Sequence, residues 1–241
     1  MLLRLPTSVS EARRCVAEGA VPVGGATLVW ATWQRDGFPE QAMSLRELAE
    51  ANVVGREALG AAVVLHRIDE RVPKVLRRAA AGVGTGAVRR TATVGGNLVG
   101  STLRCLLPAA LVLRARARVL DAEGVHETGL SEVTAKGPVL LSLHWRTPVA
   151  SAYRKLPGES GGPPPLVVAS ALHADAGGRR RLHVAVREGY DVRDAATVCD
   201  GGPGPALDAL RTTAAFGDLP AAAWEAVRDQ TTDLLHGADG A

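Results

Sequence analysis

Apolar and polar positions change places along this chain at intervals that predict short helices and short strands in alternation. Val9, Ala12, Val16 and Ala17 form one apolar face behind Ser8 or Ser10, either of which suits an N-cap, and Gly19 marks the stop. Val21–Val23 reads as a strand running into Gly24-Gly25. Trp30 and Trp33 stand one helical turn apart, so their bulk assigns them to core packing, or to the wall of a cleft if the glycine turn holds a ligand. Ser44-Leu45-Arg46-Glu47 has the Ser-x-x-Glu spacing of a capping box and predicts a short helix. Ala58 to Leu65 is continuously apolar, the pattern of a buried strand.

The same reading predicts a helix over 68–81, with its proper start after Pro73, broken by Gly82, Gly84 and Gly86. A helix over 108–113 and a hairpin beginning at Arg118–Asp121 and turning near Glu123-Gly124 follow. Val139 to Trp145 is the next strand. Tyr153-Arg154-Lys155-Leu156 leads into a glycine- and proline-rich loop, and Leu166–His173 and Arg181–Val186 form an antiparallel pair turned at Ala176-Gly177-Gly178. The stretch 192–241 reads as helical pieces. Asp218 suits the N-cap of the last one, and Trp224, Val227 and Leu234 set its inner face.

Composition narrows the function classes. Apolar residues make up 46% and charged residues 22% of the 241 positions, as in a soluble globular protein, and with aromatics at 3% the core falls to Val, Leu and Ala. A net charge of +3 with scattered arginines does not point to nucleic acid. Cys15, Cys105 and Cys199 are far apart and the six histidines lack metal-ligand spacing, which excludes a recognisable zinc or iron–sulfur site within the chain. An odd number of distant cysteines suits a reducing compartment. Met1–Pro6 is too short for a signal sequence and no apolar run is long enough to cross a bilayer. A cytoplasmic protein without membrane contact is expected. Nucleophile-elbow and P-loop motifs are absent from the sequence.

The chemistry concentrates in two glycine motifs. Arg89-Arg90-Thr91-Ala92-Thr93-Val94-Gly95-Gly96-Asn97-Leu98 joins a β-branched run to an apolar segment through adjacent glycines, and Val23-Gly24-Gly25-Ala26-Thr27-Leu28 does the same upstream. Glycines permit φ > 0 and close approach of another group, and successive N–H groups in such turns form anion-binding concavities. Two such turns serve as two jaws around a phosphate-rich ligand. With Leu59-Gly60-Ala61 between them, these motifs resemble the FAD-binding medium subunit or domain of the molybdenum hydroxylases, the carbon monoxide dehydrogenase and xanthine dehydrogenase group. Members show Ala-Gly-Gly-Thr-Asp-Leu, then Ile-Gly-Ala, then Ile-Arg-Asn-x-x-Thr-x-Gly-Gly-Asn. The order and spacing agree over roughly residues 1–120.

The resemblance implies an α+β fold: a two-part FAD-binding domain of the vanillyl-alcohol-oxidase-like type, followed by a short α+β C-terminal domain. Its parts are an N-terminal α/β subdomain (1–55), a second α+β subdomain (56–150) and a C-terminal domain (151–241). It implies that backbone amides at Gly24, Gly25, Ala26, Thr27 and Leu28, and at Thr93, Gly95, Gly96 and Asn97, hold the FAD pyrophosphate. An aspartate that hydrogen-bonds FAD sugar hydroxyls in the family is replaced here by Leu106. Loss of one such bond costs about 1 kcal/mol, up to about 3 where a polar atom is left dry, and weakens FAD by about ten- to a hundredfold. Ala26 also stands where a hydroxyl or amide side chain is usual. The family's Tyr-x-Lys is matched by Tyr153 and Lys155, the candidate catalytic pair, with Arg154 in the lysine's place if the register slips by one. The paired arginines that follow in the family are Pro157-Gly158 here. Cys105 beside Arg104 reads as a buried inert thiol or an activated one.

Three functions stay open on this reading. The first is a flavoprotein subunit that relays electrons between iron–sulfur and molybdopterin partner subunits and NAD or oxygen. The second is a flavin-free descendant of the fold, a cyclase or isomerase that folds a small-molecule substrate in an apolar cleft. The third is a non-catalytic scaffold subunit. The sequence names no substrate.

Overall fold

The computed structural model describes residues 1–158, 161–199 and 202–239. Its contacts group into two compact units, one made of residues 1–72, 80–106 and 115–145, the other of 73–79, 107–114 and 146–241. Three sheets follow one another along the chain, within residues 2–43, 58–144 and 150–198.

The first unit opens with β1 (Leu2–Arg4), α1 (Val9–Ala17), β2 (Val21–Pro22), α2 (Val29–Asp36) and β3 (Gln41–Met43). The strands make a parallel sheet in the order β1-β3-β2. Ser8 is the N-cap of α1: its hydroxyl accepts from the Glu11 N–H (3.2 Å), and the Glu11 carboxylate reaches back to the Thr7 N–H (2.8 Å). Gly19, at φ +81°, takes the left-handed turn after the helix. Next come β4 (Ala58–Gly60), α3 (Lys74–Ala81), α4 (Gly86–Arg89), α5 (Leu107–Val112), β5 (Arg116–Leu120), β6 (Val125–Thr128), α6 (Leu130–Lys136) and β7 (Val139–His144), of which α5 and most of α3 belong to the second unit. The four strands among these form an antiparallel sheet in the order β4-β7-β5-β6. Ala12 and Cys15 of α1, Met43, and Leu120, Val139 and Leu141 share one buried cluster, which joins the two sheets within this unit.

The second unit holds β8 (Ala150–Lys155), β9 (Val167–Ala174), β10 (Arg180–Glu188) and β11 (Asp191–Val198), an antiparallel sheet in the order β11-β10-β9-β8. Helices α7 (Pro203–Arg211) and α8 (Ala221–Asp239) cover one face, where Leu172, Leu182 and Val184 meet Leu210, Phe216 and Val227. Gln230 of α8 enters this core and donates to Val168 O (3.2 Å) and Ser170 Oγ (2.9 Å). The other face carries α5.

Several expectations are overturned, each for a local reason. Ser44 makes no capping bond. Leu45–Glu47 is a single 3₁₀ turn, the chain re-extends at Leu48, and Asn52 Nδ2 gathers the carbonyls of Leu45, Arg46 and Leu48 that a helix would have satisfied internally. The apolar run 58–65 is a ladder strand only to Gly60; a Cβ there would overlap the Ala51 carbonyl, and beyond it only Val64 bridges Thr93. In 192–241 the sequence misses β11, an edge strand rich in charge and poor in large apolar residues. Asp218 pairs with Arg193 rather than capping α8, which starts at Ala221. Trp30 is 51% exposed and stacks edge-on against Phe38 (5.4 Å), so the tryptophan pair does not enter the core, and α2 buries no residue at all.

On the α5 side of the second sheet, His173 Nε2 donates to the Val112 carbonyl (2.9 Å), and the His183 ring meets His173 edge to face at 5.4 Å. Among the described residues His183 Nε2 is buried without a partner. Burial, then the charges of His173, Arg114 and Arg181, push His183 down to about 4 from its ordinary 6.5. Between these values the unfolded chain holds a proton that the folded one refuses, so stability is full above 6.5 and is lost as pH falls toward 4. Denaturant unfolding across this range should show that slope, and His183→Phe should flatten it.

Candidate functional site: a glycine-loop cavity

Loop 23–29 connects β2 to α2 and is set hard against strand-like residues 91–93. A Cβ on Gly25 would fall on the Thr91 carbonyl and one on Gly24 on Thr93 Oγ1. None of Gly24, Gly25, Gly95 and Gly96 lies at positive φ. Of the two reasons the sequence offers for these glycines, positive φ is therefore corrected, and close approach holds, most tightly at Gly24 and Gly25. The left-handed residue is Ala26 (φ +56°), a conformation that costs a non-glycine about 1 kcal/mol.

The loop is anchored at both ends, by the Val23 N–H on Met43 O (2.8 Å) and the Trp30 N–H on Ala26 O (3.1 Å). Between them the N–H groups from Gly24 to Val29 donate to no acceptor among the described residues. The last of these groups opens α2, which has no side-chain cap. A row of free amides at a helix start favours an anion.

The second loop is built differently. Val94 N–H donates to Val63 O (3.0 Å), Gly95 N–H to Ala61 O (2.8 Å), Gly96 N–H to Thr93 Oγ1 (3.1 Å) and Asn97 N–H to Thr93 O (2.9 Å). Gly96–Gly100 then forms one π-helical turn. Its amides are engaged within the protein, and it serves as a wall. Asn97 Oδ1 accepts from the Leu106 N–H (2.9 Å) and closes the 97–106 segment.

Both loops line a cavity of about 350 Å³ inside the first unit, together with Leu103, Cys105 and the Gly137-Pro138 pair that follows α6. This volume is at the lower end of small-molecule sites. Gly24, Gly25, Ala26, Thr27, Leu28, Thr93, Gly95, Gly96 and Asn97 all lie on the wall. Leu106 does not: it is 0% exposed in the packed interior, with only its N–H tied to the site through Asn97. Among the described residues no Asp, Glu, Lys, Arg or His lines the cavity. Two arginines brace it from behind, Arg89 Nη1 on the carbonyls of Val83 (3.0 Å) and Gly84 (2.9 Å) and Arg104 Nη2 on Thr134 O (2.9 Å).

Tyr153 and Lys155 belong to the second unit. Pairing places Tyr153 beside Ala169 and Lys155 beside Val167, on the sheet face that also carries Arg187 and Asp194. Arg154 points the other way, toward Asp229 (3.6 Å) and Asp233 (3.8 Å) of α8, while Lys155 shares Tyr153's face. Arg187 is buried, and burial raises the Asp194 carboxyl above its ordinary range. Sequence reasoning passed over both, although a charged residue inside the apolar β10 pattern is a readable signal.

The Gly25 geometry gives a direct test. Gly25→Ala should cost about 1–3 kcal/mol in thermal or denaturant unfolding, because backbone must move. Gly96→Ala, whose Cβ meets only the Thr93 hydroxyl at 3.1 Å, should cost much less.

Comparison with known proteins agrees with this geometry. A family profile described as the FAD binding domain in molybdopterin dehydrogenase matches residues 3–142. No curated protein matches. Solved structures with the same fold include quinoline 2-oxidoreductase from Pseudomonas putida 86 (TM-score 0.67, 18% identity, covering 100% of this chain and 97% of that one). A Cu,Mo-CO dehydrogenase in its cyanide-inactivated form gives TM-score 0.71 at 18% identity, covering 100% and 98%. The reconstituted CO dehydrogenase from Oligotropha carboxidovorans gives 0.71 at 17%, covering 100% and 98%. The match over residues 3–142 takes in both glycine loops and the cavity between them, and the chain belongs to the family of FAD-binding domains of the molybdopterin dehydrogenases.

Proposed function

We propose that the chain is the flavin-carrying electron relay of a molybdenum-hydroxylase-type assembly, with the FAD diphosphate resting on the amide row from Gly24 to Val29. That row carries the proposal: six neighbouring N–H groups without acceptors among the described residues, at a helix start, on residues that line an uncharged cavity. The residues fit a diphosphate there. Backbone donors need no desolvated counter-charge, and several in succession can meet the oxygens of one diphosphate. Gly24 and Gly25 keep the row in place by seating it on residues 91–93, and the Thr93–Gly100 wall fixes the opposite side. Arg89 and Arg104 hold the outer walls without contributing to the lining.

Bound FAD supplies the ability to take up electrons from one partner and pass them to another. The chain's own part is to bind and orient it. Among the described residues no group of His, Cys, Asp and Glu is placed to hold a metal ion. Iron–sulfur and molybdopterin centres on partner subunits, and NAD or oxygen as the acceptor, complete the relay in this reading. Tyr153 and Lys155 are the groups we assign to the flavin side.

The binding test is competition. FAD titrated into the chain should quench in fluorescence; ADP, which carries the diphosphate, should displace it, and riboflavin, which has none, should not. Displacement by riboflavin alone would remove the amide row from the site. The relay is tested separately by dye reduction with NADH, which should vanish on flavin removal and return with FAD. Turnover of a substrate by the flavin-stripped chain would favour a cofactor-free cyclase or isomerase instead.

A further inference from the structure

We infer that residues 101–105 form a movable strap along one side of the cavity, and that Arg104 is the positioning residue that latches it to α6. Gly100, Ser101, Leu103 and Cys105 line the cavity, as does the Gly137-Pro138 pair beyond α6. The strap itself is lightly held. The N–H groups of Thr102, Arg104 and Cys105 donate to no backbone acceptor among the described residues. Its far end is fixed by the Leu106 N–H on Asn97 Oδ1 (2.9 Å). Arg104 lies at φ +39°, in the left-handed region that a residue with a Cβ disfavours.

One long-range bond offsets that strain. Gly137 ends α6 in the left-handed conformation, with its N–H on Val133 O (3.1 Å). The next carbonyl, Thr134 O, would pair with the N–H four residues on, but that residue is Pro138, which has none. Arg104 Nη2 replaces this missing donor at 2.9 Å and sets a cation at the negative end of the helix. Arg104 Nε is buried with no partner among the described residues, so holding the bond leaves part of the guanidinium dry. A closed state that carries strain and desolvation and rests on one side-chain bond opens locally before the surrounding fold does. Opening uncovers the wall at Cys105; that it also admits and releases FAD rests on the flavin reading above.

Arg104→Asn tests the latch, because asparagine tolerates the left-handed backbone and is too short to reach Thr134 O. Labelling with N-ethylmaleimide, located by peptide mass mapping, should speed up about tenfold or more at Cys105 and stay within about threefold of wild type at Cys15, in the core under α1. In stopped-flow fluorescence, FAD entry and release should both quicken in the variant with their ratio nearly unchanged, whereas loss of an ordinary ligand contact quickens release alone. Wild-type labelling of Cys105 in the folded variant, equal acceleration at Cys15, or faster release without faster entry would each overturn the latch. Should Arg104→Asn not fold, Arg104→Gly, unstrained in this backbone region, carries the same expectations. If FAD binds neither wild type nor variant, the flavin reading falls and the labelling alone decides the strap.

Discussion

The first unit depends on one close approach, the backbone of Gly25 lying against the Thr91 carbonyl. No side chain fits between them. The contact brings two loops from distant parts of the sequence together, and the N–H groups that follow, on residues lining the cavity, meet no carbonyl among the described residues. An unpaired buried amide is normally costly. Here six in succession, on residues that are exposed or half-buried, have no acceptor among the described residues, and the strained Ala26 is kept among them.

The opposite wall has the reverse character. Between Val94 and Asn97 each amide is bonded internally, so that loop contributes shape and not donors. Asn97 is the keystone of this side: its main chain bonds to Thr93 and its side chain to Leu106. The two glycine pairs look alike in sequence, yet one presents donors and the other hides them.

The elements with a local cause were legible. Ser8 and Gly19 bound α1, Pro73 precedes α3, and the Ala176-Gly177-Gly178 turn joins β9 to β10. The glycine motifs that carry the family resemblance were legible too, and both line the cavity. What escaped depended on tertiary partners. Asn52 competes for the carbonyls of a helix that Ser44 and Glu47 seemed to start, and β11 exists because β10 offers it an edge. The tryptophans of α2 find each other's neighbour Phe38 before they find a core. Of the two reasons the sequence offers for the glycines, close approach holds at Gly24 and Gly25 and positive φ at none of the four.

That surface helix has a consequence for folding. α2 spans eight residues, none of them buried, and isolated helices of such length are marginal in water. The segment that sets the direction of the amide row therefore has little tertiary burial to hold it. A phosphate bound at its start would satisfy its free donors and oppose its dipole, so ligand binding and helix formation there become one equilibrium. Slowed amide hydrogen exchange over α2 would then be a measure of occupancy, and the cofactor would be a structural component of the helix it touches.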